Sequence, residues 1–150
     1  MARGNGNEVI VILCCVNKDF MPVKAHDSDA CYDLKARCYI DASEPDLPTG
    51  NLRLLPGHRC LAKTGVKLQL SKGYHAYILS RPGLAWKDGI QVLNAPGIID
   101  EGYRAEIGIV LHNAGRSGVD LVYGQRVAQL AIVKTRVAYL TSITEEEIQG

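Results

Sequence analysis

The segment Val92–Tyr103, VLNAPGIIDEGY, sets an acidic side chain and an aromatic ring beside one compact apolar turn, an arrangement able to hold a small ring-shaped ligand. Asn94, Ala95, Pro96 and Gly97 supply turn chemistry between two runs of β-favouring residues. The segment therefore reads as a β-hairpin whose tip leaves N–H and C=O groups free to meet the hydrogen-bonding edge of such a ring. Asp100 then stands at the cavity as an acceptor or general base, and Tyr103 offers a flat apolar face with a polar tip. A plain hairpin with a surface aspartate and a half-buried tyrosine fits the same residues, so this segment alone does not decide the chemistry.

Other segments bear on it. They are DSDACYDL at Asp27–Leu34, SRPGLAWKDGI at Ser80–Ile90 and GQRVAQL at Gly124–Leu130, and the first segment itself runs on as NAPGIIDEGYRAEIGIVLHN to Asn113. No P-loop pattern and no strand-linked GxGxxG occurs, so any phosphate must be held by another geometry. Arg81 and Arg126 are the candidate phosphate forks, with Gln129 as a neutral donor near Arg126. Taken singly, each arginine fits a surface ion pair equally well.

The elements that must position these residues are short. Apolar, β-branched runs recur between Gly, Pro and Asp turns at Val9–Val16, Tyr32–Ile40, Arg59–Leu70, Tyr74–Leu79, Gly89–Leu93, Ala105–Asn113, Val119–Tyr123 and Val127–Tyr139, which predicts an all-β sandwich or barrel. Helix content is expected to be low, because only a short turn near Trp86 interrupts this pattern. Asp41–Leu52, with Pro45, Pro48 and Gly50, reads as a surface insertion. Residues 1–8 read as a flexible N-terminus and the acidic residues 141–150, TSITEEEIQG, as a mobile tail.

At 150 residues, 47% hydrophobic and 22% charged, the chain supports one core and hence a single domain over residues 1–150. A formal net charge of +1 without a basic block lacks the footprint of a duplex or membrane-surface binder, so neither nucleic acid nor membrane is expected as a direct partner. The five cysteines, Cys14, Cys15, Cys31, Cys38 and Cys60, form no CxxC pair and are odd in number. That argues against a disulfide framework or a zinc site and for a reducing location, cytoplasmic or otherwise intracellular. Val9–Val16 is too short for a membrane span and lacks signal-peptide flanks. His26, His58, His75 and His112 lack metal-ligand spacing and read as structural, with His26 in the first-motif loop the weak exception.

Taken in chain order, the four segments resemble the motifs of the homotrimeric dUTPase family, and the resemblance runs from about Pro22 to Leu130. It implies a jelly-roll, β-barrel-like subunit with active sites at the interfaces of a homotrimer. The implied reaction is Mg²⁺-dependent hydrolysis of dUTP to dUMP and pyrophosphate by in-line attack of water on the α-phosphorus, which limits uracil incorporation into DNA. By the same resemblance Asp100 orients the attacking water and contacts the sugar 3′-OH, while Tyr103 packs on the deoxyribose and excludes a 2′-OH. Asn94, Gly97, Ile99 and the hairpin main chain read uracil in a turn too tight for a thymine methyl. Arg81, Gly83 and Gln129 contact the phosphates beside Pro82, Arg126 adds to substrate binding, and Asp33 reaches Mg²⁺ through water. The physical logic is coherent, since Mg²⁺ neutralises a triphosphate that a near-neutral protein could not hold alone.

The chain departs from the family at Ser80-Arg81-Pro82-Gly83, where the usual order is Pro-Arg-Ser-Gly. The family serine steadies the oxygen bridging the α- and β-phosphates, and Pro82 has neither hydroxyl nor N–H for that task. Ser80 cannot simply replace it, because two residues of extended chain span about 6.6 Å. The family's closing Gly-rich arm does not follow Ile148-Gln149-Gly150, so either the chain was shortened or the site closes differently, and without that arm water is expected to reach the triphosphate more freely and turnover to weaken. Cys31 and Ala105 stand where the family usually has glycine, and Cys31 reads as a packed cysteine. Trp86 is expected to pack rather than stack on a base.

Two rival functions are weighed against hydrolysis. The first is dCTP deamination on the same fold, whose catalytic glutamate falls near Val110, a side chain unable to move a proton. The second, motivated by Pro82 and the missing arm, is a catalytically weak dUTP-binding regulator that uses occupancy as its signal.

Overall fold

A computed structural model describes residues 12–15 and 17–149. The expected flexible N-terminus, residues 1–8, and much of the run Val9–Val16 lie outside the described residues. The elements are β1 (Leu13–Cys15), β2 (Tyr32–Lys35), β3 (Cys38–Asp41), β4 (Pro48–Thr49), β5 (Leu52–Leu54), β6 (Arg59–Lys63), β7 (Lys67–Gln69), β8 (Tyr74–Leu79), α1 (Pro82–Asp88), β9 (Ile90–Val92), β10 (Gly97–Ile99), β11 (Gly108–Asn113), β12 (Val119–Leu121) and β13 (Arg126–Lys134). The fold is all-β, as the turn spacing predicts. A four-stranded sheet in the order β10-β8-β13-β2 faces a five-stranded sheet in the order β4-β3-β6-β11-β9, with β1-β7 and β5-β12 as two-stranded ribbons.

Alternation explains which face turns inward. In β8 the buried positions are Ala76 and Ile78, and in β11 they are Ile109, Leu111 and Asn113. Leu34, Ala76, Ile78 and Leu130 from one sheet meet Tyr39, Cys60, Ala62, Ile109 and Leu111 from the other in one buried cluster. Polar groups inside it are satisfied: Asn113 Nδ2 donates to Leu54 O and Ser117 O, and Tyr39 OH donates to Val122 O. Burial pushes the Cys60 thiol up to about 12, which keeps it protonated and inert.

Several expected runs divide because the chain changes sheets within them. Tyr32–Ile40 splits at Ala36-Arg37 into β2 of the four-stranded sheet and β3 of the five-stranded one. Arg59–Leu70 splits at Thr64-Gly65-Val66, where Gly65 takes φ +70 and buried Thr64 donates to Ile107 O at 2.7 Å while accepting from Val66 N at 3.1 Å. Val92–Tyr103 is likewise not a paired hairpin. Its two strands lie in different sheets, β9 beside β11 and β10 beside β8, so the Asn94–Gly97 turn is the tip of an arch between sheets. Hydrophobic alternation is identical whether a strand pairs with its neighbour in sequence or with a distant one, which is why the arch reads as a hairpin.

Smaller details refine these expectations. Asp41–Leu52 is partly ordered by pairing, with β4 set against β3 through Tyr39↔Thr49 and Ile40↔Pro48. Val127–Tyr139 holds regular pairing only to Lys134. The acidic tail contains a short 3-10 turn at Glu145–Glu147, closed by Thr144 and Glu147 in a reciprocal capping box. No helix among the described residues is long and apolar enough to cross a membrane.

Candidate functional site

β8 carries the chain through Ser80 to Arg81, whose backbone is still extended at φ −83 and ψ 128. Pro82 then opens α1, a position at which its missing N–H goes unused by the helix and its fixed φ is already helical. Gly89 ends α1 at φ +68, and a Cβ there would lie 2.7 Å from Gly115 N, so only glycine fits. Trp86, expected to pack, is instead 93% exposed on this helix. A single turn pair has room to bury one apolar position against the core, and Leu84 occupies it.

Register aligns the first group of candidate residues. Gln129 in β13 lies opposite both Leu79 of β8 and Asp33 of β2, so three strands present one row. Arg81 Nε stands 3.3 Å from Asp33 Oδ1, and Arg126 Nη1 stands 3.6 Å from Asp33 Oδ2. Arg81 Nη1 also donates to Arg126 O at 3.2 Å, and Gln129 Nε2 donates to Ser80 O at 2.8 Å. The result is two guanidinium groups on one carboxylate, an excess of positive charge in a partly exposed position that can receive a polyanion. Pro82 and Gly83 lie beside it, both exposed, at the start of α1.

The second group sits on the arch. Gly97 is buried against β8, and a Cβ there would come within 3.4 Å of Ile78 Cβ and 3.5 Å of Asn94 Nδ2, so the exposed Asn94 amide folds over the turn. Ile99 is buried beneath it. Asp100 follows, exposed, and its carboxylate makes no hydrogen bond or ion pair with the described residues. Its main-chain carbonyl accepts from Tyr103 N at 3.0 Å, and the Tyr103 hydroxyl donates to Glu106 O at 3.1 Å, leaving the ring 40% exposed. An uncommitted carboxylate beside a tethered aromatic ring can orient water next to a ring-shaped group.

Within one chain the two groups do not meet. β10 runs Gly97↔Ile78 to Ile99↔Ala76, so Asp100 falls level with His75, six residues before Arg81, which lies just past the end of β8. Six residues of strand span about 20 Å. Asp33, Arg81, Arg126 and Gln129 thus form one cluster, the Asn94–Gly97 tip lies at the same end of β8, and Asp100 and Tyr103 lie at the other.

Sequence reasoning missed a third cluster that supports the second group. Glu106 accepts from Arg37 Nε at 2.6 Å, Arg37 Nη2 at 3.1 Å and Gly65 N at 2.7 Å, and Lys63 Nζ lies 2.7 Å away. Hydrogen bonding from Arg37 first, then from Lys63 and the Gly65 amide, outweighs burial and brings the Glu106 carboxyl down to about 2. The histidines are spent on side-chain contacts where they have them, His75 with Thr135 at 2.6 Å and His112 with Gln91 at 3.0 Å. No group of three or more His, Cys, Asp or Glu among the described residues is disposed to cage a metal ion.

Comparison with known proteins agrees with this architecture. Residues 18–149 match the model of the dUTPase family. The deoxyuridine 5′-triphosphate nucleotidohydrolase of Clostridium novyi is 40% identical over 128 residues, 85% of this chain and 82% of that protein. The Anaplasma marginale enzyme of the same name is 56% identical over 77 residues, 51% of this chain and 52% of that protein. Among solved structures, a mutant dUTPase from phage phi11 of S. aureus, with a coordinated structural Mg(II) ion, gives a TM-score of 0.75 at 21% identity, covering 93% of this chain and 100% of that one. Native EIAV dUTPase gives 0.70 at 24% identity, covering 92% and 100%. With its ordered motifs, its all-β sheets and matches of this extent, the chain belongs to the dUTPase family.

Proposed function

We propose that this chain hydrolyses dUTP to dUMP and pyrophosphate, in sites completed between copies of a homotrimer. The observation that carries the reading is the pairing of an uncommitted Asp100 carboxylate with a separate two-arginine cluster in a chain of this family. A nucleoside triphosphate needs both ends, and a second copy set against the sheet face supplies the end that one chain lacks. That face supports association: Ile98, Tyr77 and Ala131 form a row across three strands, with Ile98 57% exposed.

In this reading the arch main chain, Asn94, Gly97 and Ile99 take uracil, and the Tyr103 ring packs on the deoxyribose where a 2′-OH has no room. Asp100 holds the water in line with the α-phosphorus and contacts the 3′-OH. Arg81, Gln129 and Gly83 take the phosphates, and Arg126 shares Asp33 with Arg81 so that either guanidinium can turn to a phosphate oxygen. Pro82 offers no donor to the departing pyrophosphate, so turnover is slowed relative to a chain with a hydroxyl there.

Mg²⁺ fits this residue set as an ion carried by the nucleotide. Such an ion takes most of its oxygens from phosphate and water, with one or two carboxylates. Asp33, the one carboxylate in the cluster, would hold it through water, and when bound it supplies neutralisation of the phosphate charge.

The test is Mg²⁺-dependent pyrophosphate release from dUTP, with UTP, dTTP and dCTP alongside. Selective release from dUTP is expected. Release from none of them, with dUTP still bound, replaces hydrolysis by the regulatory reading that Pro82 favours. Asp100→Asn should lower kcat by about a thousandfold while dUTP binding stays within a few fold, and a variant with full turnover removes Asp100 from the mechanism.

A further inference from the structure

One residue ties the end of β8 on two sides. Ser80 Oγ accepts from Val92 N at 2.8 Å, and Ser80 O accepts from Gln129 Nε2 at 2.8 Å. Val92 belongs to β9, the edge strand of the five-stranded sheet. Leu93 N donates inward to Val110 O at 2.9 Å, and successive N–H groups of a strand point to opposite sides. The Val92 N–H therefore points off the open edge, at a residue only 3% exposed, where an unpaired donor is costly. The Ser80 hydroxyl closes it, and this bond joins the five-stranded sheet to β8 of the four-stranded one.

The bond lies two residues before the arch tip. The tip leaves β9 after Val92, turns at Asn94–Gly97 and returns along β8 at Gly97↔Ile78. Its returning foot is held by strand pairing, and Ser80 holds the outgoing foot to the same strand. The serine displaced in Ser80-Arg81-Pro82-Gly83 thus has a partner, which the family's proline at that place has no hydroxyl to bind.

We propose that Ser80 is a positioning residue for base recognition, its hydroxyl fixing the outgoing foot of the arch and hence the Asn94–Gly97 tip. This rests on the dUTP reading above. Gln129 is bound by the Ser80 main-chain carbonyl, which a side-chain change leaves in place. The phosphate cluster therefore serves as an internal control.

The experiment compares Ser80→Ala and Ser80→Thr with the unaltered trimer. For Ser80→Ala, KM for dUTP should rise about tenfold, kcat should change little, and rejection of dTTP should weaken, because a loosened arch reads the base less tightly. Inhibition by inorganic tripolyphosphate, which needs only the arginine cluster, should not change. Ser80→Thr keeps a hydroxyl and should restore the dUTP KM. Amide hydrogen exchange at Val92 should quicken in Ser80→Ala and recover in Ser80→Thr. An unchanged KM, or tripolyphosphate inhibition weakened in step with KM, overturns the positioning role. If the unaltered protein hydrolyses no dUTP, the functional reading fails, and unchanged Val92 exchange in Ser80→Ala separately overturns the clamp.

Discussion

Two clusters in this molecule have the same formal make-up, one carboxylate between two cations, and they do opposite things. Glu106, with Arg37 and Lys63, is saturated: two Arg37 bonds, a lysine contact at 2.7 Å and the Gly65 amide at 2.7 Å fill its acceptor sites. Asp33, with Arg81 and Arg126, has contacts of 3.3 and 3.6 Å, longer than charge-assisted hydrogen bonds of about 2.7–2.9 Å. The first cluster joins two of the places where the chain changes sheets, the Arg37 bend and the Gly65 bend, and its glutamate main-chain carbonyl receives the Tyr103 hydroxyl. It is a lock. The second holds its cations at longer distances, and in the proposed reading a phosphate displaces the carboxylate at small cost. Saturation of the acceptor, and not the list of charges, separates the two clusters, and the proposed phosphate role falls to the unsaturated one.

The sharpest way to break that distinction is to delete one arginine from each cluster. Arg81→Ala should lower kcat/KM for dUTP by about a hundredfold or more, the scale of one lost charge-stabilising donor, and leave the melting temperature nearly unchanged. Arg37→Ala should do the reverse, lowering Tm and sparing most activity. Parallel kinetics and thermal melts check both, and an Arg81→Ala protein that is inactive because it is unstable erases the contrast.

Glu106→Gln comes next in size. It keeps the shape and removes the charge on which Arg37 and Lys63 converge, and should cost about 1–2 kcal/mol, discounted because the Arg37 side chain is 46% exposed. The pH dependence carries a sign. The Glu106 carboxyl is held at about 2 in the folded chain, below the ordinary glutamate value of about 4.3, so its contribution is full above about 4.3 and is lost as the pH falls toward about 2. Chemical denaturation across that window should show the unaltered chain losing stability faster than Glu106→Gln. Parallel slopes would mean that Glu106 is not locked.

Much of the Asp33 cluster is legible in the sequence, and almost none of the lock is. Arg81, Arg126, Gln129 and Asp33 fall in recognisable segments, and short turn-bounded runs announce an all-β chain. The partners of Glu106 come from the distant bends at Arg37 and Gly65, and no local period links them. The same limit hides the arch, because Val92 and Gly97 differ only in which remote strand they join. It also hides the task of Ser80, whose acceptor role exists only once two sheets are brought edge to face. Trp86 errs for a simpler reason: a seven-residue helix that buries Leu84 has no second inward position for a ring.

The smallest expected effect tests geometry with charge held constant. Arg37 engages Glu106 through Nε and Nη2 at once, a fork that an ammonium cannot reproduce, so Arg37→Lys should cost about 1 kcal/mol of stability. Arg126 touches Asp33 through a single nitrogen at 3.6 Å, so Arg126→Lys should fall within about 0.5 kcal/mol of the unaltered chain. Denaturant midpoints measured on both variants at one ionic strength decide the point. Equal losses would mean that Asp33 is held as firmly as Glu106, and the looseness on which the proposed phosphate role of its arginines rests would have to be abandoned.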